Sequence, residues 1–336
     1  MSSSAATTPD PDPGHADARV AAGLADVLRE CTGAGAIEIG DLVRIPAGAS
    51  RQTWSFVATI DGEARRLVLR LDPPGGRDAS SLLREAALMR AAGAVGVPSP
   101  TVIAEGLDHP DIGGDFVVMN HIDGATIPRK ILRDPEFADA RAALTGQLGA
   151  ALAAVHSIDV DVVPGLPEDD PLAAWRPELD AADRVFPTFE FALSWLERHR
   201  PPTAGRTVTH GDFRIGNVIV DGNGLAAVLD WELAHIGDPL EDLGWMCVKA
   251  WRFGGAGMVG GLGGLDEFIG AYEAAGGAPV DREALFWWQV YGTLRWGIIC
   301  LHQTQRHRTG TSRSVELAAI GRRVSENEWE LLSLIG

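Results

Sequence analysis

A chain of 336 residues with 46% apolar side chains is long enough to bury one large core or the cores of two lobes. Its formal charge of −17 argues against nucleic-acid or anionic-membrane partners unless a local basic patch overrides the field, and suits a neutral or cationic small molecule. The three cysteines, Cys31, Cys247 and Cys300, are too scattered for a disulfide framework or metal site and are expected as buried free thiols.

The first residues, Met1 to His15, are rich in Ser, Ala, Thr, Pro and Asp. They carry neither a basic nor an apolar leader, so residues 1–18 are expected to form a disordered tail on a cytoplasmic protein. Helical composition runs from Ala16 to Glu30 and stops at Gly33 and Gly35. Two β-like runs, Thr53–Ile60 and Arg66–Leu71, flank the turn pair Asp61-Gly62. A helix follows from Ser80 to Ala92, then an apolar strand over Asp115–Asn120, closed by Ile122-Asp123-Gly124. Beyond this point helical stretches dominate: Asp139–Ser157, Phe189–Arg198, Leu265–Ala274, Asp281–Gln303 and Ser312–Leu334. One hairpin interrupts them, Asn217–Val220 and Ala226–Asp230, turning on Asp221-Gly222-Asn223-Gly224. The Gly-rich stretch Gly254–Gly264 reads as a mobile loop. A small β-rich part, residues 19–120, thus precedes a larger α-rich part, residues 121–336.

The segment His210-Gly211-Asp212-Phe213-Arg214-Ile215-Gly216-Asn217 and the later Val228-Leu229-Asp230 put two carboxylates and an amide at the ends of one hairpin. Phosphoryl transfer uses that set. One carboxylate, Asp212, accepts the proton of the attacking hydroxyl, while Asn217 and Asp230 offer the oxygen ligands that Mg²⁺ prefers. Taken singly, each is also an ordinary turn former. His210 reads as a structural hydrogen-bonding residue rather than a proton shuttle. Asp238 reads as a turn or helix cap, and Asp242 as a brace for the catalytic loop.

In the β-rich part, Arg70 stands inside the apolar run Leu67–Leu71, where an unpaired cation is costly. Glu85 shares a helix face with Leu82, Leu88 and Met89 and supplies a partner; an edge-strand arginine with its head in solvent is the alternative.

These motifs, together with Leu229-Asp230-Trp231-Glu232 and Gly237-Asp238-Pro239-Leu240-Glu241-Asp242-Leu243, resemble the aminoglycoside phosphotransferase and choline kinase-like family. The long form from Trp231 to Pro239 looks most like the branch sometimes fused to acyl-CoA dehydrogenase domains. The resemblance implies a two-lobed, protein-kinase-like α+β fold and transfer of the γ-phosphoryl group of ATP, with Mg²⁺, to a hydroxyl of a small molecule. It further implies a phosphate loop around Ser50 in Pro46–Trp54, which has one glycine and also reads as a plain turn. The family's Lys–Glu pair falls on Arg70 and Glu85, arginine being a departure from the usual lysine. The adenine is expected against the backbone of Asn120 and Ile122, with Met119 facing the pocket. A catalytically silent nucleotide-binding relative and a metal-dependent phosphohydrolase remain open alternatives, and the acceptor is not set by the motifs.

Overall fold

The computed structural model describes residues 13–45, 51–72, 80–182, 184–312 and 314–336. The chain divides into two compact units: residues 1–90 with 100–122, and residues 91–99 with 123–336.

In the first unit, helix α1 (Pro13–Thr32) precedes strands β1 (Ile37–Ile45), β2 (Gln52–Ile60) and β3 (Glu63–Asp72), helix α2 (Ser80–Ala94), and strands β4 (Val102–His109) and β5 (Gly114–Asn120). The strands form one antiparallel sheet in the order β1-β2-β3-β5-β4. β5 lies inside the sheet and is buried over almost its whole length, which explains its unbroken apolar run. Leu24 and Leu28 of α1 pack with Phe56, Leu67, Leu69, Phe116 and Val118 in a single core. α1 starts within the stretch expected as a tail, and residues 1–12 lie outside the described residues. The strands β1 and β4 were not expected. Both are interrupted by register shifts, at Gly40/Val43 and within Val102–His109, and such bulges erase the alternation a sequence reading relies on.

The second unit contains helices α3 (Pro128–Arg133), α4 (Ala138–His156), α5 (Trp175–Asp180) and α6 (Pro187–Arg198), the short strand β6 (Thr207–Thr209), and the hairpin β7 (Val218–Asp221) and β8 (Gly224–Val228). After these come strand β9 (His235–Gly237) and helices α7 (Leu240–Cys247), α8 (Leu265–Ala274), α9 (Arg282–Arg308), α10 (Val315–Ile320) and α11 (Arg323–Ile335). α9 begins where Asp281 accepts the N–H groups of Glu283 and Ala284, an N-cap that satisfies two of the helix's open donors. Its Trp287, Val290, Leu294 and Ile298 are buried against Phe189, Leu193 and Leu196 of α6 and Leu331 of α11, so α9 is the apolar axis of this unit. The expected last helix is split in two at Gly321 and Arg322. The stretch 254–264 connects Arg252 to α8 without helix, and the bridges Gly257–Gly261 and Val259–Gly263 fold it onto itself. Cys247 and Cys300 are buried, but Cys31 is exposed at the end of α1, a correction to the expectation of three buried thiols. Among the described residues no helix is long and apolar enough to cross a membrane.

Candidate active site

The segment from His210 to Asn217 leaves β6, forms a tight turn and enters β7. Gly211 makes the turn possible. It adopts φ 77°, and a Cβ there would stand 2.3 Å from the Leu233 carbonyl oxygen, so only glycine fits. Behind it, Asp242 at the start of α7 is fully buried and accepts the N–H groups of His210 at 2.7 Å and Gly211 at 2.9 Å. Burial pushes the Asp242 carboxyl upward, but the hydrogen bond and charge of His156, 3.3 Å away, with help from His210, outweigh it and hold the group below its ordinary range. Asp242 is therefore the expected brace, and Asp238 the expected cap, accepting the N–H groups of Leu240 and Ala204.

His210 is buried and fully engaged. Its Nδ1 accepts the Asp212 N–H at 3.2 Å, which leaves Nε2–H to donate to the Leu229 carbonyl at 2.9 Å. The ring thus ties the base segment to the residue before Asp230, as a structural role requires. Leu229 N–H also donates to the Asn217 carbonyl at 2.8 Å. Asp230 itself sits in the left-handed region at φ 67°, a conformation Asp tolerates better than most residues.

Three side-chain donors surround the Asp212 carboxylate. Arg214 Nε lies 3.0 Å from Oδ1 and 3.2 Å from Oδ2, Asn217 Nδ2 is 2.6 Å from Oδ2, and Trp245 Nε1 is 2.8 Å from Oδ1. A carboxylate offers about four lone-pair directions, and these three donors make four contacts with them, the longest being Arg214 to Oδ2. Asn217 Nδ2 also donates to the Asp212 carbonyl at 3.0 Å, which fixes the amide's orientation and turns its oxygen away from Asp212. Trp245 escaped the sequence reading. The signal was present: it follows Asp242 by three positions, the helical spacing that puts both on one face.

Arg295 of α9 supports the same segment from the other side. It donates to the Gly211 carbonyl at 2.9 Å and to Glu241 at 3.0 Å, its guanidinium 4.7 Å from the Trp245 ring. Glu241 also holds His235 at 3.1 Å. Burial pulls the His235 imidazole down, but the Glu241 hydrogen bond and charge overcome it and raise the group to about 8.

In the first unit Arg70 Nη1 donates to Glu85 Oε2 at 2.7 Å. A second arginine, Arg51, joins them: it pairs with Glu85 Oε1, reaches Asp72 Oδ2 at 3.2 Å and donates to Ser81 Oγ at 2.6 Å. Its side chain is only 4% exposed against 19% for Arg70, so Arg51 is the buried anchor and Arg70 the outward one. Ser50 lies outside the described residues. Met119 is buried in β5. The Asn120 N–H is taken by the Thr101 carbonyl at 3.1 Å and its Oδ1 by the Thr101 N–H at 2.6 Å. Ile122 lies past the strand end.

A cavity of about 990 Å³ in the second unit is walled by Arg214, Trp251 and Trp296 together with Arg129, Arg133 and Arg323. Arg214 joins it to Asp212, with its guanidinium 4.8 Å from the Trp251 ring. Another cavity, of about 900 Å³, holds His235, Glu241 and Arg295, and Asp212 is in the wall of neither. Trp251 is both packed, at 5% exposure, and part of a cavity wall.

Mouse acyl-CoA dehydrogenase family member 10 is 31% identical over 229 residues, which is 62% of this chain and 20% of that protein. The chain thus spans about a fifth of that relative's length. A crystal structure of a putative aminoglycoside phosphotransferase from Ralstonia eutropha is 22% identical, covers 93% of this chain and 98% of its own, and superposes with a TM-score of 0.72. A thermostable mutant of an aminoglycoside phosphotransferase, in ternary complex with AMP-PNP and hygromycin B, is 17% identical over 93% of this chain and 97% of its own, with a TM-score of 0.58. The pattern of the phosphotransferase enzyme family matches residues 41–287, well over half of the chain. The chain belongs to that phosphotransferase family and has its two-lobed, protein-kinase-like α+β fold.

Proposed function

We propose that the protein transfers the γ-phosphoryl group of ATP to a hydroxyl of a small molecule. The observation that carries this reading is the lock between Asn217 and Asp212, in which the amide nitrogen is committed to Asp212 at 2.6 and 3.0 Å. The lock holds the base in one orientation and leaves the amide oxygen for a hard cation. Asn217 and Asp230 fit Mg²⁺ by donor chemistry, since one amide oxygen and one carboxylate are enough for an ion that completes its shell with phosphate oxygens and water. When bound, Mg²⁺ neutralises charge on the phosphate oxygens during transfer.

Asp212 orients the acceptor hydroxyl and takes its proton as the oxygen attacks the γ-phosphorus. The bond from that phosphorus to the bridging oxygen breaks in line, and ADP leaves. Arg214 and Trp245 keep the carboxylate from rotating, so it stays oriented toward the acceptor. Arg70, steadied by Glu85 and behind it Arg51, is the cation for the nucleotide's phosphates. Ser50 belongs to the phosphate loop, and Met119, Asn120 and Ile122 to the adenine slot. Because the Asn120 N–H is taken by Thr101, the slot relies on the Asn120 carbonyl and on Ile122. A ternary complex of a structural neighbour with AMP-PNP supports nucleotide binding.

The test is ADP release by the purified chain with ATP, Mg²⁺ and a library of hydroxylated metabolites. Asp212→Asn should abolish acceptor-dependent turnover and leave ATP binding in place. Full turnover by that variant on an acceptor of the parent protein refutes the reading.

A further inference from the structure

The chain carries 46 acidic and 29 basic residues, yet the cavity that contains Arg214 is lined by Arg129, Arg133, Arg214, Lys249 and Arg323 against three glutamates. Two of the glutamates are already neutralised, Glu330 by Lys249 at 2.6 Å and Glu326 by Arg323 at 2.5 Å. Arg214 is paired with Asp212. Arg129 and Arg133 are left without a carboxylate partner among the described residues. Both stand on α3, whose sequence Pro-Arg-Lys-Ile-Leu-Arg holds three cations and no acid.

α3 is fixed beside the chemistry. Pro128 Cγ lies 3.8 Å from where a Cβ on Gly216 would stand, next to the base segment. At its other end Arg133 Nη2 lies 3.4 Å from the corresponding position on Gly254. Arg141 pins the helix by donating to the carbonyls of Ile131 at 2.9 Å and Asp134 at 2.8 Å. The same wall carries the rings of Trp251 and Trp296. Against Arg129 and Arg133 stands one wall carboxylate without a cation partner among the described residues, Glu316. A ligand with an anionic end for Arg129 and Arg133, and an apolar stretch to lie along the indole rings, fits this wall.

Resting on the phosphotransferase reading above, we infer that the acceptor is an anionic alcohol: a small molecule with a carboxylate or phosphate at one end, taken up by Arg129 and Arg133, and a hydroxyl at the other, presented to Asp212. The local patch thereby reverses the preference for neutral or cationic molecules that the net charge alone suggests.

The experiment uses the full chain with ATP and Mg²⁺ and measures ADP release with matched pairs. One arm sets hydroxycarboxylates of increasing chain length against their hydroxyamides and amino alcohols. The other sets phosphate monoesters of diols against the parent diols. The anionic member of a pair should be preferred by about tenfold or more in kcat/KM, as expected for charge-assisted contacts, and the better arm identifies the anion. Arg129→Ala with Arg133→Ala, both exposed positions, should collapse that ratio toward one and remove most of its salt sensitivity. Equal or better turnover of the neutral and cationic members overturns the inference while leaving the phosphotransferase reading intact. If no acceptor is turned over, the same pairs are tested for quenching of tryptophan fluorescence, in the parent and in Asp212→Asn. Anion-selective quenching lost in the double variant supports the site even where the chemistry fails, and unselective or absent quenching overturns it.

Discussion

Asp242→Asn probes whether the catalytic segment is held from behind. The carboxylate accepts two backbone N–H groups, at 2.7 and 2.9 Å, and faces His156 at 3.3 Å, all in a fully buried setting. The oxygen of the substituted amide keeps one backbone donor, while its NH₂ is turned against the other. One N–H then loses its acceptor, at about 1–3 kcal/mol, and the surviving bond loses its charge assistance, at roughly another 1 kcal/mol. The sum, about 3 kcal/mol, is a large part of a typical domain's 5–15 kcal/mol. Urea denaturation followed by tryptophan fluorescence should show the midpoint falling by about 1–2 M, with kcat reduced more than tenfold as Asp212 loosens. Because the Asp242 carboxyl is held below its ordinary value of 3.8, its contribution is fully present above that pH and is lost as the solution is acidified through the lower folded-state value. The parent should therefore lose part of its margin over the variant only in strong acid. A variant within about 1 kcal/mol of the parent, with unchanged kcat, would refute the brace.

Four further outcomes follow from the same geometry. His235, raised from 6.5 to about 8, should stabilise the fold by about 2 kcal/mol at pH values below 6.5, and that contribution should fade as pH rises through 8. His235→Gln should flatten this slope in urea melts across that window, and a parent with no such slope would contradict the Glu241 pairing. Arg51→Ala strips Glu85 and Asp72 of their buried partner and should cost about 3–5 kcal/mol in thermal or urea melts. Arg70→Ala, at the more exposed end of the same cluster, should cost much less stability and instead raise the KM for ATP. Trp245→Phe removes one donor from Asp212 and should lower kcat about tenfold with little change in the KM for ATP, a split that loss of nucleotide binding would not produce.

Where the sequence was informative, a single physical demand made it so. Arg70 lies in an apolar strand and Glu85 on an apolar helix face, and neither charge is tolerable alone, so each implies the other before any coordinates exist. The hairpin at Asp221–Gly224 and the long α9 were legible for a similar reason, being written in local turn chemistry and in continuous apolar composition. What escaped depends on closure of the chain. Arg51 precedes its strand in polar company, and nothing local says it will be 4% exposed between two carboxylates. The bulged strands β1 and β4 and the three-residue strands β6 and β9 have too little alternation to be read.

The substrate side is the sharpest case of this difference. Net charge is a property of composition and pointed to neutral or cationic acceptors, because it averages over the whole surface. Recognition depends on the few charges that share a cavity with Arg214, the partner of the base, and sequence distance conceals that grouping: Arg129 and Arg133 precede Asp212 by about eighty residues, and Arg323 follows it by more than a hundred. Once they are grouped, the cation paired with the base and the two cations without partners divide the labour. Arg214 is committed to holding Asp212, so it can adjust the reacting group but has little left to select an anion. Arg129 and Arg133 touch no part of the reaction and can select one. Substitutions at Arg214 should therefore lower kcat for every acceptor, whereas substitutions on α3 should change which acceptor is chosen.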